Sequence, residues 1–191
     1  MLDDNRISRR SLFVGGAAAA LLAGCANGVG ENAAARLDGR VNTTRDYLLQ
    51  TYPGAAGLIQ GAKGVLYMPL MTEAGFGIGG AYGQGALRIN NATVDYYSAT
   101  QASVGFQIGA QQYAHVLIFQ TDQALANFRS APGWVAEAGA YYALPARGLA
   151  VGADTITAQQ PVVAMIFGQS GLMAGASIAG TKYTRVIPST F

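Results

Sequence analysis

The spacing of apolar residues predicts an amphipathic helix early in the chain. Between residues 31 and about 52, four apolar residues fall near one helical face and arginines lie elsewhere, the apolar set being Ala33, Leu37, Val41 and Leu48. Pro53 and Gly54 would end this helix, and residues 55–62 favour a second short helix that ends at Gly64. We expect the first helix to pack on a sheet, which is the commoner arrangement, with a position on a membrane surface as the alternative.

From Val65 onward, helical spacing gives way to short apolar runs and to alternation, both typical of strands. Alternation over residues 103–110 places Val104, Phe106 and Ile108 on one face, which indicates one buried and one lighter face. Further strands are predicted over residues 65–70, 86–90, 93–99, 114–119, 161–167, 172–178 and 182–187.

The polar and glycine-bearing stretches predict how these segments are connected. Asn90 and Asn91 mark one turn and residues 168–171 another, while Thr121 would cap a short helix that runs to Phe128. Residues 132–160 have the weakest pattern, which we interpret as one strand with a long loop or hairpin. The whole pattern predicts an α+β domain, in which an antiparallel sheet of about eight strands, open or barrel-like, carries two or three packed helices.

Glycines crowd one stretch of the predicted strands, residues 63–85, and they are Gly75, Gly77, Gly79, Gly80, Gly83 and Gly85. Residues 75–80 match G-x-G-x-x-G, but a dinucleotide site needs a helix to begin there so that its N–H groups meet the pyrophosphate. Residues 81–87 have no helical face, so nucleotide binding is not expected. The prediction is a glycine-lined strand against which another backbone or an aromatic ring packs closely.

Composition narrows the class of protein. The 191 residues suffice for one domain with a sizeable core, and only 12% of them are charged while 51% are hydrophobic. A net charge of +2 without any Lys/Arg run gives no phosphate-tracking surface, so nucleic acid is not expected as a partner. One cysteine and one histidine exclude an intramolecular disulfide and a Cys/His metal cluster.

The sequence has no catalytic motif, so we expect a protein that is not an enzyme and needs no cofactor. His115 lies in the apolar run of residues 114–119 with no Ser or Cys nucleophile near it in sequence, which favours a structural role. The carboxylates are spread singly, so no acid and base pair can be nominated. A deep pocket lined by His115 and a carboxylate would revive an enzymatic interpretation.

The beginning of the chain has the three parts of an export signal: a basic start, an apolar stretch and a small-residue exit. The apolar stretch, residues 11–23, is too short to span a bilayer core, which needs about 20 residues. Arg9 and Arg10, followed by two apolar residues, resemble the twin-arginine export motif.

Residues 22–25 resemble the bacterial lipobox, whose cysteine receives a diacylglycerol before cleavage in front of it. This pattern predicts a twin-arginine lipoprotein signal peptide over 1–24, a tether over 25–30 lipidated at Cys25, and a single domain over 31–191. The protein would then be anchored on the periplasmic side of a bacterial envelope. Ala26, where an Asp often retains lipoproteins in the inner membrane, favours the outer membrane.

Several ordered motifs between Ala55 and about Gly180 carry a family resemblance. They are residues 63–66 with Pro69, 75–80 with Tyr82, Gly83 and Gly85, 102–105 with Gln107 and Gly109, 116–118, and 170–172 with 174–175 and 177–178. This set resembles the SYLF domain family, lipid-binding modules found in eukaryotic proteins that act at membranes and on actin, and in bacterial lipoproteins. Residues 133–160 depart from the family pattern, with Tyr141 and Tyr142 where the family tends to have a small or acidic residue.

The resemblance implies binding of a phosphoinositide or another anionic lipid, and actin binding in some eukaryotic members. A periplasmic protein would not meet actin, so the expected partner is anionic phospholipid, with phosphoinositide implied by the resemblance alone. We expect contact through the glycine-rich face and the nearby cations Lys63, Arg88, Lys182 and Arg185. The alternative is an envelope structural or protein-interaction module that uses the same face.

Overall fold

The computed structural model describes residues 31–136, 142–143, 160–171 and 177–188. These ranges hold three helices, α1 Glu31–Thr51, α2 Ala55–Gly61 and α3 Asp122–Ser130. They also hold six strands, β1 Gly64–Ile89, β2 Ala92–Phe119, β3 Trp134–Val135, β4 Tyr142–Ala143, β5 Val162–Gly171 and β6 Lys182–Arg185. The three predicted helices are confirmed, and the Thr121 hydroxyl caps α3 by accepting a hydrogen bond from the Ala124 N–H at 3.2 Å.

Strand β2 is the centre of the sheet. β1 pairs with it antiparallel over almost its whole length, from Gly64 opposite Phe119 to Ile89 opposite Ala92. β5 and β6 share the other edge of β2, and both pair with it antiparallel. β3 pairs with β6, and β4 adds a two-residue parallel contact to β5. The predicted α+β class with an antiparallel sheet is confirmed, and the sheet is curled.

Several predicted strands merge into longer ones because the breaks in their patterns are β-bulges. Between Met68 and Met71 the register of β1 against β2 shifts by one residue, where Pro69 has no N–H to give to the ladder. Two further register shifts lie along the same strand pair, so β1 and β2 run on for 26 and 28 residues. The predicted turn at Asn90 and Asn91 is confirmed, and both residues have the positive φ that a tight hairpin requires.

The predicted turn over residues 168–171 is wrong. β5 continues through Gly171, and an extra residue in β5 between Phe167 and Ser170 forms a bulge. Gly168 has a φ of 65°, which glycine adopts without strain, so it supports a bulge and not a chain reversal. Most of the predicted partner strand, residues 172–176, lies outside the described residues, and Ile178 is described but belongs to no strand.

The sheet separates two hydrophobic cores. On one face α1 and α2 pack on the strands, and this core includes Val41, Leu48, Leu58, Val65, Val116, Ile118 and Met165. On the other face α3 packs, and this core includes Leu66, Leu117, Phe119, Leu125, Phe128, Ile166 and Tyr183. Neighbours such as Val65 and Leu66 enter different cores because side chains alternate across a strand. Packing of the first helix on the sheet is therefore confirmed, and no helix in the described ranges is long and apolar enough to cross a membrane.

Strand β1 bends so that its two ends lie against each other, and glycines allow that contact. A Cβ at Gly85 would overlap the carbonyl oxygen of Tyr67, and a Cβ at Gly83 would overlap that of Leu70. The expected close approach of another backbone is confirmed at these two positions, and the backbone belongs to the same strand. Residues 75–87 continue as strand, which is incompatible with the helix that a dinucleotide site requires.

Candidate functional site

A groove runs between α1 and β1. Two adjoining clefts of about 490 Å³ and 270 Å³ form it, and Pro69 and Leu70 line both of them. Because α1 packs across β1 through one face only, the neighbouring turns of the helix form one wall of the groove and the strand forms the other. We call this feature the α1–β1 groove, and its lining includes Arg36, Arg40, Tyr47, Leu70, Tyr82 and Gly83.

The groove exposes apolar surface. Tyr47, Leu70 and Tyr82 are 44%, 39% and 41% exposed, and they are half of the large hydrophobic side chains exposed among the described residues. Leu70 points outward beside the bulge at Pro69, since a bulge re-aims the side chains next to it. At one end of the groove the Tyr47 ring stacks on Phe167, with the ring centroids 6.1 Å apart. Apolar side chains gathered on one surface make this groove a candidate interaction site.

Two arginines stand at the other end of the groove. Arg36 and Arg40 lie one helical turn apart on α1, so their side chains share a face of the helix. Both are exposed, and within the described ranges neither guanidinium makes a hydrogen bond or an ion pair. No carboxylate is among the described residues that line the groove. Across from the arginines, the Gln84 amide donates to the Tyr82 hydroxyl at 2.9 Å.

Three of the predicted cations lie at other places on the fold. Lys63 precedes β1, and its Nζ is 3.8 Å from the carboxylate of Asp122. Arg185 pairs with Asp95 at 3.3 Å. Lys182 lies three residues earlier on β6, so its side chain leaves the opposite face of that strand. Neither ion pairing nor strand geometry brings these three side chains together.

The remaining predicted site residues are divided between several environments. Arg88 is only 8% exposed and lines a different cleft, on the side of α1 that carries Arg45. Gly83 lines the α1–β1 groove, whereas Gly85 is buried against the Tyr67 backbone. The other glycines of the predicted face belong to the preceding part of β1, and they are Gly75, Gly77, Gly79 and Gly80. The predicted export and lipidation residues lie outside the described ranges, and they are Arg9, Arg10 and Cys25.

Sequence reasoning missed Arg36, Arg40 and Leu70. The helical pattern assigns both arginines to a polar face, where a solvated cation is ordinary. Their spacing of four residues is the one sequence signal that they act together. The exposure of Leu70 depends on a bulge. An apolar run that contains a proline does not predict which residue the bulge turns outward.

His115 belongs to the core and not to the groove. It is fully buried, its Nε2 lies 2.8 Å from the Tyr183 hydroxyl, and burial lowers its pKa to about 3. Tyr113 beside it is also buried, and this burial, with the nearby Glu73, raises the pKa of Tyr113 to about 12. Both side chains are neutral near pH 7, in agreement with a structural role for His115. The described residues contain no group of three or more His, Cys, Asp or Glu that could hold a metal ion.

The described residues thus form a curled sheet with helices packed on both faces and a groove on its surface that is lined by apolar and basic side chains. Residues 100–186 match the sequence model of the family described as Ysc84, Las17-binding protein actin regulator. This part of the chain is a Ysc84/SYLF domain match, and such domains are generally non-catalytic binding modules. No curated protein matches the chain. The family resemblance is thus confirmed for residues 100–186, and for residues 55–99 it stays a prediction.

Proposed function

We propose that this protein is a non-enzymatic lipid-binding lipoprotein whose α1–β1 groove takes an anionic phospholipid. The acyl chains lie against Tyr47, Leu70 and Tyr82, and the phosphate lies between Arg36 and Arg40. The observation that carries the proposal is that exposed apolar side chains and two arginines without a partner among the described residues line one groove.

Both halves of such a ligand have a physical counterpart in the groove. Apolar surface removed from water contributes about 25 cal/mol per Å², so contact between an acyl chain and the exposed side chains favours binding. A guanidinium binds phosphate through two parallel N–H···O bonds, and charge-assisted bonds of this kind are about twice as strong as neutral ones. With a net charge of +2, the chain has little long-range attraction to a membrane, so the local pair of arginines supplies it.

The amino-terminal pattern supports an anchor close to this groove. α1 begins at Glu31, and a tether that starts at Cys25 spans at most about 20 Å when fully extended. A diacylglycerol on Cys25 would therefore keep the arginine end of the groove near a membrane surface. Arg9 and Arg10 support export to the periplasmic side of the envelope, and Ala26 favours the outer membrane.

The partner proposed for this chain is narrower than the family description. That description names Las17 and actin regulation, but a protein exported to the periplasm would not meet actin. Phosphoinositide rests on family resemblance alone. The side chains that line the groove can bind a ligand with a phosphate beside an acyl chain. An anionic phospholipid of the bacterial envelope has both groups.

A protein partner on the glycine-rich face is the alternative function. At Gly83 and Gly85 there is no room for such a partner, because both glycines are buried and the backbone of β1 itself occupies the space beside them. The exposed apolar surface next to this stretch belongs to the α1–β1 groove, and a groove bounded by a helix suits a narrow chain better than a flat protein surface.

Flotation on vesicles tests the proposed function. The fragment of residues 26–191 contains every described helix and strand and lacks the signal and the acyl chains. At low salt it should float with vesicles that contain phosphatidylglycerol and remain at the bottom of the gradient with pure phosphatidylcholine. The double variant R36E/R40E should bind the anionic vesicles at least about tenfold more weakly, because each charge-assisted bond contributes about 1.5–3 kcal/mol.

The matched control changes the same charge outside the groove. K63E/K182E reverses two exposed cations that the sequence also nominates, and it should keep most of the binding. If K63E/K182E fails to float while R36E/R40E still floats, the lipid site is not the α1–β1 groove. If the unaltered fragment does not float at all, lipid binding by this domain is wrong.

A further inference from the structure

A second cleft, of about 290 Å³, lies on the other side of α1, where α1 and α2 meet both ends of β1. Its polar lining is rich in hydrogen-bond donors and contains no carboxylate among the described residues, and it consists of Arg45, Gln60, Tyr67, Arg88, Asn90 and Asn91. The cleft shares no lining residue with the α1–β1 groove. It is therefore a separate place on the surface, with a chemistry of its own.

Arg88 is the unusual member of this cleft. It is 8% exposed, and it lies on the strand face of Ala86, under the helices. Its Nε is buried without a hydrogen-bond partner, and within the described ranges the side chain forms no ion pair. A cation taken out of water without a counter-charge is costly, so a buried arginine is normally paired. Arg88 thus lines a cleft that has room for an anion, and its guanidinium has no partner among the described residues.

The neighbouring carboxylates are engaged by other groups. Asp38 accepts hydrogen bonds from the Thr93 and Tyr96 hydroxyls at 2.8 and 2.9 Å. Asp46 pairs with Arg45 at 3.0 Å. Neither carboxylate lines the cleft, so the charge of Arg88 is not balanced from within its walls.

The hairpin turn holds the rest of the cleft in place. Arg45 donates to the Asn91 side-chain oxygen at 2.7 Å, which ties α1 to the turn between β1 and β2. This bond fixes the guanidinium on the cleft wall, and Tyr67 adds a hydroxyl, whose pKa burial raises, so that it stays protonated. A planar guanidinium that is held rigidly loses little entropy when it binds an oxyanion.

We propose that this cleft binds a phosphate group through Arg88 and Arg45, either as a soluble phosphate ester or as the headgroup of a phospholipid. The proposal is independent of the lipid-binding groove, since it rests on Arg88 and on a cleft with different walls. The ligand class follows from the buried Arg88 guanidinium, which has no partner among the described residues, and from the absence of carboxylates among the described lining residues. Arg45, whose Nη2 lies 3.0 Å from Asp46, adds a second guanidinium to the wall of the cleft.

Calorimetric titration with inorganic phosphate tests the site. The full chain carrying Cys25→Ser is used in detergent, at a fixed ionic strength set with chloride. It should show saturable binding of phosphate, and R88M should bind at least about tenfold more weakly, because methionine replaces the aliphatic part of the arginine side chain and has no N–H donors. K182A, which removes an exposed cation that lines neither this cleft nor the α1–β1 groove, should bind phosphate like the unaltered chain.

Thermal unfolding of R88M and phosphate binding by R88K distinguish loss of the site from loss of the fold. R88M should unfold at the same temperature as the unaltered chain or higher in phosphate-free buffer, since an unpaired buried charge has been removed. If R88M does not fold, R88K replaces it; the lysine keeps the charge but not the planar fork, so it should also bind more weakly. Absence of saturable phosphate binding in the unaltered chain, together with absence of binding to phosphatidate vesicles, would overturn the proposal, as would equal binding by a folded Arg88 variant.

The same variants identify the source of the phosphate. Binding of glycerol 3-phosphate that matches inorganic phosphate and depends on Arg88 indicates a soluble ester. Arg88-dependent binding to vesicles with phosphatidate, without binding of the soluble ester, indicates a lipid headgroup. Either result supports a phosphate site, and binding that is indifferent to Arg88 in both arms contradicts it.

Discussion

The described residues include three buried ionisable side chains, Glu73, Arg88 and His115, and these differ in their hydrogen-bond partners. Glu73 accepts a hydrogen bond from the buried Gln111 amide at 2.8 Å. His115 is uncharged and hydrogen-bonded to Tyr183. Arg88 alone of the three has no side-chain partner among the described residues. A buried group without compensation reduces stability unless a ligand supplies that compensation, so Arg88 is the member of the three for which we propose a binding role.

His115 makes stability depend on pH. Its pKa is lowered from 6.5 to about 3 in the folded chain, so between these values the unfolded chain binds more protons. The stabilisation is complete above pH 6.5 and is lost as the pH falls towards 3, by up to about 1.4 kcal/mol per pH unit. Urea unfolding of the unaltered chain and of H115Q at several pH values measures this. The difference between the two unfolding free energies should shrink below pH 6.5, and a constant difference would contradict a buried neutral imidazole.

Gly85 is required by the close approach of the two ends of β1. An alanine there would overlap the Tyr67 carbonyl oxygen, so Gly85→Ala should lower the free energy of unfolding by about 1–3 kcal/mol or more. The matched control is Gly39→Ala in the exposed part of α1, where a Cβ meets nothing within 4 Å. That change should stabilise the protein by up to about 1 kcal/mol because glycine is a poor helix former. Equal effects of the two substitutions in thermal unfolding would show that the contact within β1 is not tight.

Among the secondary-structure elements, the helices can be predicted from the sequence, whereas the lengths of the strands cannot. α1 has apolar residues at helical spacing and a proline and glycine at its end, and these local signals also place it on the sheet. The break at Pro69 looks the same in sequence whether a turn or a bulge follows, and so does the break at Gly168. Only the long-range pairing with β2 determines whether a turn or a bulge forms at each break. For this reason β1 and β5 are longer than the sequence pattern predicts.

The candidate site was predictable only in its chemistry. The family resemblance implies cations beside a lipid-binding surface, but the bulge that exposes Leu70 and the packing of α1 that brings Arg36 and Arg40 to the same groove are properties of the assembled sheet and helix. The glycine-rich stretch was predictable as a close contact, because a run of residues without side chains has few other uses in a strand.

Substitutions can separate the contacts that pack α1 on the sheet from the exposed side chains that line the α1–β1 groove. Leu48 is fully buried, so Leu48→Ala should lower the free energy of unfolding by about 2–5 kcal/mol. Leu70 lies across the groove from α1 and is 39% exposed, so Leu70→Ser should change the stability by no more than about 0.5 kcal/mol. Leu70→Ser should nevertheless weaken flotation on anionic vesicles. A large loss of stability in Leu70→Ser, or undiminished flotation, would show that this side chain does not serve a ligand.

At the scale of the whole molecule, the anchor and the domain are proposed to act on the same membrane. Cys25→Ser should abolish labelling of the protein with radioactive palmitate in growing cells and should release it from the membrane fraction, because stable anchoring needs the acyl chains. R9K/R10K should block export, and the unprocessed chain should then accumulate. Labelling that survives Cys25→Ser, or an unaltered protein that is never labelled, would contradict lipidation at this cysteine.

Native mass spectrometry of residues 26–191, purified from a bacterial lysate in mild detergent, tests whether the α1–β1 groove holds an anionic phospholipid. We expect a population of the domain that retains one phospholipid, enriched in anionic headgroups, and the loss of this population in R36E/R40E but not in K63E/K182E. A folded domain that carries no lipid, or one that retains it equally well in R36E/R40E, would contradict the claim.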